Sequence, residues 1–562
     1  MIDRLKGLFS PTTMKDDAVA GLVLGVESIP DGLAQGLVAG VNPIFGLYGY
    51  LYGMVGAAFV TGSVFMTVQA TGAMSLVVAD VGAVQSGDDA DRALFTLALL
   101  TGVVMIVAGM IKAGSVLRFV SNSVMVGFMS AVGVNIVLGQ LDNFTGYVSE
   151  GANRLARAFN TLVSIFDWDL GSVGIGVITV ALILLLERSK LGALGMVVAI
   201  VVGSAIVPIP SMEVAQLRDI TDIPSGLPLP ALPLLSAIPS LIIPAISLAF
   251  VGLVQGAGIT ASYPNPDGEY PDASRDFIGQ GVGNLVSGIF RGMPVGGSAS
   301  ATALIKEGGL QSPMAKIYAG VVMAITVIFL APAVSYIAMP ALAALLIVVG
   351  ARTVKPKEIL GVWRTGSIQR IVMASTFLLT IVIPLQYAVL VSVAFSMILY
   401  IIRSSSNVVV KRMEVIDNDV RLSDPPAEVG PSEVVMLQLY GSVFFASAAS
   451  FETLFPVVTP NSRNSVVVIR LRGKADLGST FMDLLKRYAR SLREVDSKLV
   501  VMSVEPRVLD QLVVTGTAEV LGTDNLYPAD DWLGREVRSV ATESQEWVDE
   551  HRSDDAGSAS PA

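Results

Sequence analysis

The chain has 562 residues, 52% of them apolar and 15% charged, against about 25% charged in an ordinary soluble domain, and its mean hydropathy is +0.66. It carries no cysteine and a single histidine, His551. Disulfide frameworks, thiolate metal sites, iron–sulfur clusters and cysteine nucleophiles are therefore excluded, and a net charge of −10 argues against the basic face that a nucleic-acid partner requires.

Apolar stretches of membrane-spanning length fill residues 16–403, and a bilayer core of about 30 Å needs about 20 residues per helix. In chain order, spans are expected at 16–38, 44–61, 70–84, 93–111, 121–141, 171–187, 191–208, 239–261, 277–290, 298–306, 314–331, 336–351, 367–384 and 387–403, about fourteen in all, with those starting at 70 and 298 too short to cross alone. Met1 to Asp17 mixes charges and leads straight into a Gly-rich span, without the cleavage pattern of a signal peptide, and reads as a cytoplasmic leader. With the amino terminus inside, most Lys and Arg fall in inner loops, Lys306, Lys316, Arg352 and Lys355 among them, and only Arg92, Arg154, Arg157, Arg218 and Arg291 fall outside. That asymmetry suits a multi-pass protein of the cell membrane with both termini cytoplasmic.

After Arg403 the composition changes. Residues 404–427, with Lys411-Arg412 and Asp424-Pro425-Pro426, read as a linker between a membrane domain at 1–403 and a small soluble domain at 428–549. Buried strands are expected at 434–439, 466–471 and 499–502 and a helix at 480–494, which implies a sheet covered by helices. Residues 550–562 read as a disordered tail.

Four elements carry chemistry. In the first span Glu27 and Asp31 are four apart and share a helix face; no Lys or Arg in that span neutralises them, and intramembrane carboxylates normally face a cavity or a partner. Two short segments, Gln69-Ala70-Thr71-Gly72-Ala73-Met74-Ser75 and Gly296-Gly297-Ser298-Ala299-Ser300-Ala301-Thr302, have the small residues of helices that begin inside the membrane. The first N–H groups of a helix are unpaired and carry about half a positive charge, so opposed half-helices bind anions without a cationic side chain. Gln255, with Thr260 five residues on, lies in a run of small residues and must find hydrogen-bond partners, which substrate or Asp31 could supply. The broken segments are third in the first seven spans and third in the second seven, the placement that marks a transporter's central site. Close helix packing through small residues is the structural alternative.

These residues resemble the SulP family, the sulfate permease or solute carrier 26 group. Asp17-Ala18-Val19-Ala20-Gly21-Leu22, Ile29-Pro30-Asp31-Gly32-Leu33-Ala34, Ala39-Gly40-Val41-Asn42-Pro43 and Gly46-Leu47-Tyr48 look like its first-span signature. Gly279-Gln280-Gly281-Val282-Gly283-Asn284 with Gly297-Ser298-Ala299-Ser300-Ala301-Thr302-Ala303 is similar to its ninth-to-tenth-span signature, and the soluble part looks like a STAS domain. The resemblance implies an all-α membrane domain built as a 7+7 inverted repeat, with core and gate domains like those of uracil permeases, followed by a small α/β domain. It further implies a homodimer in the bilayer, no cofactor and a small anion as substrate, of the bicarbonate, sulfate or dicarboxylate class. Substrate residues carried over are Asp31, Gln35, Ala70, Thr71, Gly72, Gln255, Ser298, Ala299 and Ser300. Thr71-Gly72-Ala73-Met74 resembles the Thr-Gly-Pro-Met of bicarbonate-transporting members.

Three departures stand out: Asp31 where Gln is common, Gln255 where an acid is common, and Ala301 where Arg often follows the Ser. An ionised Asp31 repels an anion and a protonated one does not, so proton coupling through Asp31 is expected, with Glu27 beside it. Sodium held by Asp31, Thr71 and the half-helix region is the rival. In the soluble part, Ser479 of Asp476-Leu477-Gly478-Ser479-Thr480 reads as a helix N-cap rather than a phosphosite. A nucleobase permease and a non-transporting sensor or scaffold remain as alternatives; no nucleotide loop, metal cluster or catalytic triad suggests an enzyme.

Overall fold

The computed structural model describes residues 14–114, 120–151, 153–189, 191–207, 214–221, 223–416, 419–531 and 533–557; most of the expected leader and residues 558–562 of the expected tail lie outside them. The chain forms two compact units that divide between Ser396 and Met397.

Helix α1 (Met14–Val38) is pinned at its start by Asp17, which is 1% exposed and whose carboxylate accepts from the N–H groups of Gln311 and Ser312 and from the Ser312 hydroxyl at 2.6–3.0 Å. Helix α2 (Pro43–Ala58) starts on an Asn42 cap with proline at its first position, the favoured helix-opening chemistry. It crosses α1 so closely that a Cβ on Gly46 would lie 2.0 Å from the Gly32 carbonyl oxygen. Strand β1 (Thr67–Gln69) leads into the short helix α3 (Gly72–Ala79), followed by α4 (Ala90–Met110), α5 (Asn122–Gly139), α6 (Leu170–Leu186) and α7 (Leu194–Ala205). Then come α8 (Ile238–Ser262), α9 (Ala273–Ile289), strand β2 (Gly296–Ser298) with α10 (Ala299–Glu307), α11 (Met314–Ile325), α12 (Met339–Thr353), α13 (Ser367–Val382) and α14 (Leu385–Ser406).

Helices α1–α4 and α8–α11 pack as one bundle, in which α9 lies on α4 and α2, and α11 on α1 and α2. A second bundle forms where α5 packs on α12 and α13, and α6 on α7 and α12. On α6 only Ser172, Ile175, Gly176, Thr179 and Ile183 are buried, leaving Leu184 and Leu185 exposed, the outward apolar face expected against lipid. Lys316, assigned above to an inner loop, is instead 1% exposed on α11; a loop-sized gap in hydropathy hid a charge that the fold turns inward.

Strands β1 and β2 pair antiparallel, Thr67 opposite Ser298, Val68 opposite Gly297 and Gln69 opposite Gly296. Because each runs directly into a helix, α3 and α10 leave this crossing in opposite directions with their N-termini turned toward it.

The second unit has the sheet order β4-β3-β5-β6-β7-β8, with β3 (Val409–Ile416), β4 (Asp419–Ser423), β5 (Val434–Tyr440), β6 (Val466–Arg470), β7 (Lys498–Val504) and β8 (Leu526–Pro528). Helices α15 (Phe445–Leu454), α16 (Ser479–Arg493) and α17 (Pro506–Val514) cover one face through Phe451, Phe481, Leu485 and Val508. Helix α18 (Leu533–Gly557) covers the other through Val537, Val540 and Val548. The stretch 404–427, expected as a linker, holds the end of α14 and the hairpin β3–β4; its strands are mostly solvent-facing, so their charges disguised them. His551 and the start of the expected tail lie on α18, where the His551 ring stacks on Trp547 at 3.9 Å. The cap of α16 is Gly478, and Ser479 is its first helical residue, one position later than expected.

Candidate functional site

Each half-helix is opened by a hydroxyl. Thr71 Oγ1 accepts from the Met74 N–H at 3.4 Å, and Ser298 Oγ accepts from the Ala301 N–H at 3.4 Å. Helix geometry then leaves the N–H groups of Gly72 and Ala73, and of Ala299 and Ser300, without intrahelical partners. The ladder register puts Ser298 opposite Thr67, four residues before Thr71, so the two caps are at most about 14 Å apart along the strand direction.

The crossing is held from behind by α8 and α9. Gln280 Oε1 accepts from the Gly297 N–H at 2.9 Å, and Asn284 both accepts from the Val295 N–H and donates to the Val295 carbonyl at 2.6 Å. Gly256 on α8 lets the strand approach: a Cβ on Gly297 would lie 2.9 Å from the Gly256 Cα.

In front of the crossing is a cavity of about 650 Å³ lined by every expected site residue: Glu27, Asp31, Gln35, Ala70, Thr71, Gly72, Gln255, Ser298, Ala299 and Ser300. It extends to the ends of α7, α8 and α12, where Met196, Tyr263, Arg352, Lys355 and Glu358 line it. The cations there are paired, Arg352 with Glu187 and Lys355 with Glu358 at 2.9 Å. Among the described lining residues, Arg352 and Lys355, at that end of the cavity, are the cationic side chains.

Asp31 Oδ2 is 2.6 Å from the Tyr50 hydroxyl, which also lies 3.0 Å from the Ala70 carbonyl oxygen. One phenolic hydrogen thus faces two acceptors. With Asp31 ionised the hydrogen belongs to the carboxylate; with Asp31 protonated the acid can donate to the phenol oxygen, and the phenol to Ala70. Gln35 Nε2 reaches Asp31 Oδ1 at 3.4 Å, and Gln35 Oε1 accepts from the Ser75 hydroxyl on α3 at 3.0 Å. Gln255 does not meet Asp31: its Oε1 accepts from the Thr71 hydroxyl at 3.0 Å, joining α8 to the cap of α3. Thr260 donates to the buried carboxylate of Asp276 at 2.8 Å. Glu27 Oε2 is buried without a hydrogen-bond partner. No group of three or more His, Cys, Asp or Glu that could hold a metal stands together among the described residues.

Tyr50 is a cavity-lining side chain that sequence reasoning passed over. It belongs to the run Tyr48-Gly49-Tyr50-Leu51-Tyr52, and a phenol buried in a span must find a polar partner, which is the signal that could have found it.

A family model described as the sulfate permease family matches residues 14–376, and one described as the STAS domain matches residues 426–530. The chain is 23% identical over 540 residues to the chloroplastic sulfate transporter 4.1 of Arabidopsis thaliana, covering 91% of this chain and 78% of that protein. It is 25% identical over 450 residues to the bicarbonate transporter BicA of Picosynechococcus sp., covering 77% and 79%. In fold it is similar to the murine solute carrier 26 family member A9 anion transporter in the inward-facing state, with a TM-score of 0.83, 18% identity and coverage of 96% and 93% of the two chains.

Proposed function

The chain belongs to the sulfate permease family, a family of transporters and not of enzymes, and on that premise we propose that it is a secondary active transporter of a small anion of the sulfate, bicarbonate or dicarboxylate class. The observation that carries this reading is the antiparallel β1–β2 crossing, which turns the capped N-termini of α3 and α10 toward one cavity. Unpaired N–H groups and two helix dipoles converge there on a space that favours a negative ligand at the half-helix tips.

The membrane unit is proposed to be a fourteen-segment 7+7 inverted repeat, with α1–α4 and α8–α11 as the core and α5–α7 and α12–α14 as the gate, both termini cytoplasmic and two copies forming a dimer. Alternating access is then movement of one bundle against the other around the half-helices. The cavity mouth lies at the ends of α7, α8 and α12 that share a side with the start of α1, which supports an inward-open arrangement.

Asp31 is proposed as the proton carrier. Ionised, it repels an anion at the half-helix tips, since like charges a few ångströms apart in a poorly solvated site repel by several kcal/mol on the order of 332/(εr); protonated, it does not. The Tyr50 hydrogen, free to turn from Asp31 to the Ala70 carbonyl, ties that change to the residue before the α3 cap. Sodium held at Asp31 and Thr71 is the competing coupling ion. The test is anion uptake into liposomes under imposed proton and sodium gradients: Asp31→Asn is expected to abolish the proton dependence, and retention of full gradient dependence removes Asp31 from the mechanism.

A further inference from the structure

Lys316 has no part in the reading above, yet it is 1% exposed inside the membrane unit. Its Nζ donates to the Met66 carbonyl oxygen at 2.9 Å. The N–H of the same peptide unit, on Thr67, donates to Thr302 Oγ1 at 3.1 Å, and Thr302 in turn donates to the Ser298 carbonyl at 2.6 Å. Thr67 and Thr302 are fully buried, so an unbroken, dry relay runs from the ammonium group to the residue that caps α10. A cation on the carbonyl of a peptide polarises its N–H, and hydrogen bonds in such chains strengthen one another.

The counter-charge is the carboxylate of Asp276. Asp276, also fully buried, accepts from the Ser63 N–H at 2.8 Å and from Thr260, and it interacts electrostatically with Lys316. The chain bends between the two contacts, the Ser63 hydroxyl accepting from the Met66 N–H at 3.1 Å, so the carboxylate at Ser63 and the ammonium at Met66 are held on one turn that leads into β1. Of the pair, the ammonium is the member bonded to the peptide that enters β1. Two exposed cations stand nearby: Arg275 donates to the Val60 carbonyl at 3.2 Å, and Lys306 sits at the opposite end of α10 over the Tyr263 ring at 4.7 Å.

We propose that Lys316 is a specificity-determining residue of the anion site, a fixed charge beside β1 that sets affinity at the α10 tip and favours dianions over monoanions, with Asp276 as the counter-charge that offsets it. The inference rests on the anion reading of the half-helices and adds a second source of positive potential to their dipoles. One Met66–Thr67 step and one antiparallel pair separate the relay from Ser298, a span of about 10 Å. A unit charge at that distance through an effective dielectric near 20 changes a monoanion's affinity by about tenfold, and, the energy being linear in ligand charge, a dianion's by about a hundredfold.

The experiment titrates the purified full-length chain with sulfate and with bicarbonate at one pH, for the wild type, Lys316→Met, Asp276→Asn and the double variant. Lys316→Met is expected to weaken bicarbonate by about tenfold and sulfate by about a hundredfold. Asp276→Asn, which keeps the shape and removes the opposing charge, is expected to tighten both, sulfate by about the square of the factor for bicarbonate, and the double variant to return toward the wild type. Loss of both anions by one common factor, or an Asp276→Asn variant that leaves the sulfate-to-bicarbonate ratio unchanged, overturns the proposal. If Lys316→Met does not fold, Asp276→Asn alone carries the sign test. A wild type that binds neither anion instead overturns the transport reading, so the two failures are distinct.

Discussion

The α3 cap is where the proposed site is most open to a quantitative test. Thr71→Val keeps the β-branched shape and the extended backbone of the cap residue (φ −114°, ψ 153°) but removes the hydroxyl. Two contacts go with it, the acceptor for the Met74 N–H and the donor to Gln255 Oε1. Loss of an N-cap costs about 1 kcal/mol and loss of the side-chain hydrogen bond about 1 kcal/mol more. The first turn of α3 then frays in the empty protein and must be re-formed before Gly72 and Ala73 can present their N–H groups together, so apparent affinity falls by the fraction of molecules already ordered. About 2 kcal/mol corresponds to roughly a 30-fold weaker Kd. Isothermal titration of the full chain with sulfate or bicarbonate reads this directly, and Thr71→Ser, which caps equally well, is expected to stay within about threefold of the wild type. A Thr71→Val protein that binds with unchanged affinity refutes the claim that an ordered α3 tip holds the anion.

Tyr50→Phe removes the single hydroxyl between Asp31 and Ala70 and is expected to lower proton-gradient stimulation of uptake toward the level of Asp31→Asn, while sulfate affinity changes by less than about threefold; gradient-driven uptake measured beside equilibrium binding separates the two. Gly256→Ala puts a methyl 2.2 Å from Gln280 Nε2, pushing Gln280 off the Gly297 N–H, and is expected to weaken anion binding about tenfold through one buried hydrogen bond. Gly258→Ala, two residues on, lines the cavity and meets nothing within 4 Å; it is expected to be neutral, and equal effects of the two would count against the crossing as the site's scaffold. In the second unit, burial raises the Tyr488 phenol, whose hydroxyl donates to the Pro456 carbonyl at 2.7 Å, and burial with Glu543 beside it pushes Tyr527 up to about 12. Raised phenols favour the folded state below pH 10 and lose that advantage as pH climbs through the folded values, so the calorimetric transition of this unit should hold steady up to pH 10 and fall beyond it, less steeply in Tyr488→Phe.

The parallel strands β5, β6 and β7 were legible because strands buried on both faces read as apolar runs, Val466 to Ile469 being the plainest. The hairpin β3–β4 was not. Its burial shows no alternation, with Val410 buried on one face of the sheet, Met413 on the other and Lys411 and Arg412 partly exposed between them, and a charged pair followed by two prolines is locally indistinguishable from a linker. It is a strand pair by its own ladder, Arg412 opposite Ser423, and by the pairing of Val409 with Tyr440 and Met413 with Met436, and the second partner lies more than twenty residues away.

The same contrast between local and distant information runs through the site. Small residues and hydroxyls at 71 and 298 mark helix starts because capping acts over three residues, and the Glu27–Asp31 face follows from helix geometry alone. What no local pattern holds is the register that sets Ser298 opposite Thr67, since two three-residue strands have no alternation long enough to specify it. That register is imposed from outside, by Gln280 and Asn284 on α9 and by Thr302, side chains that a sequence reading takes for polar residues awaiting any partner. Lys316 shows the cost of this blindness most clearly. Three residues into α11 it counts, by position, as a loop cation obeying the positive-inside rule; only the Met66 carbonyl, on the backbone that leads into β1, makes it a buried, bonded charge. A polar residue near a span boundary therefore has its role decided by the element packed over it, and for this chain that element is the crossing itself.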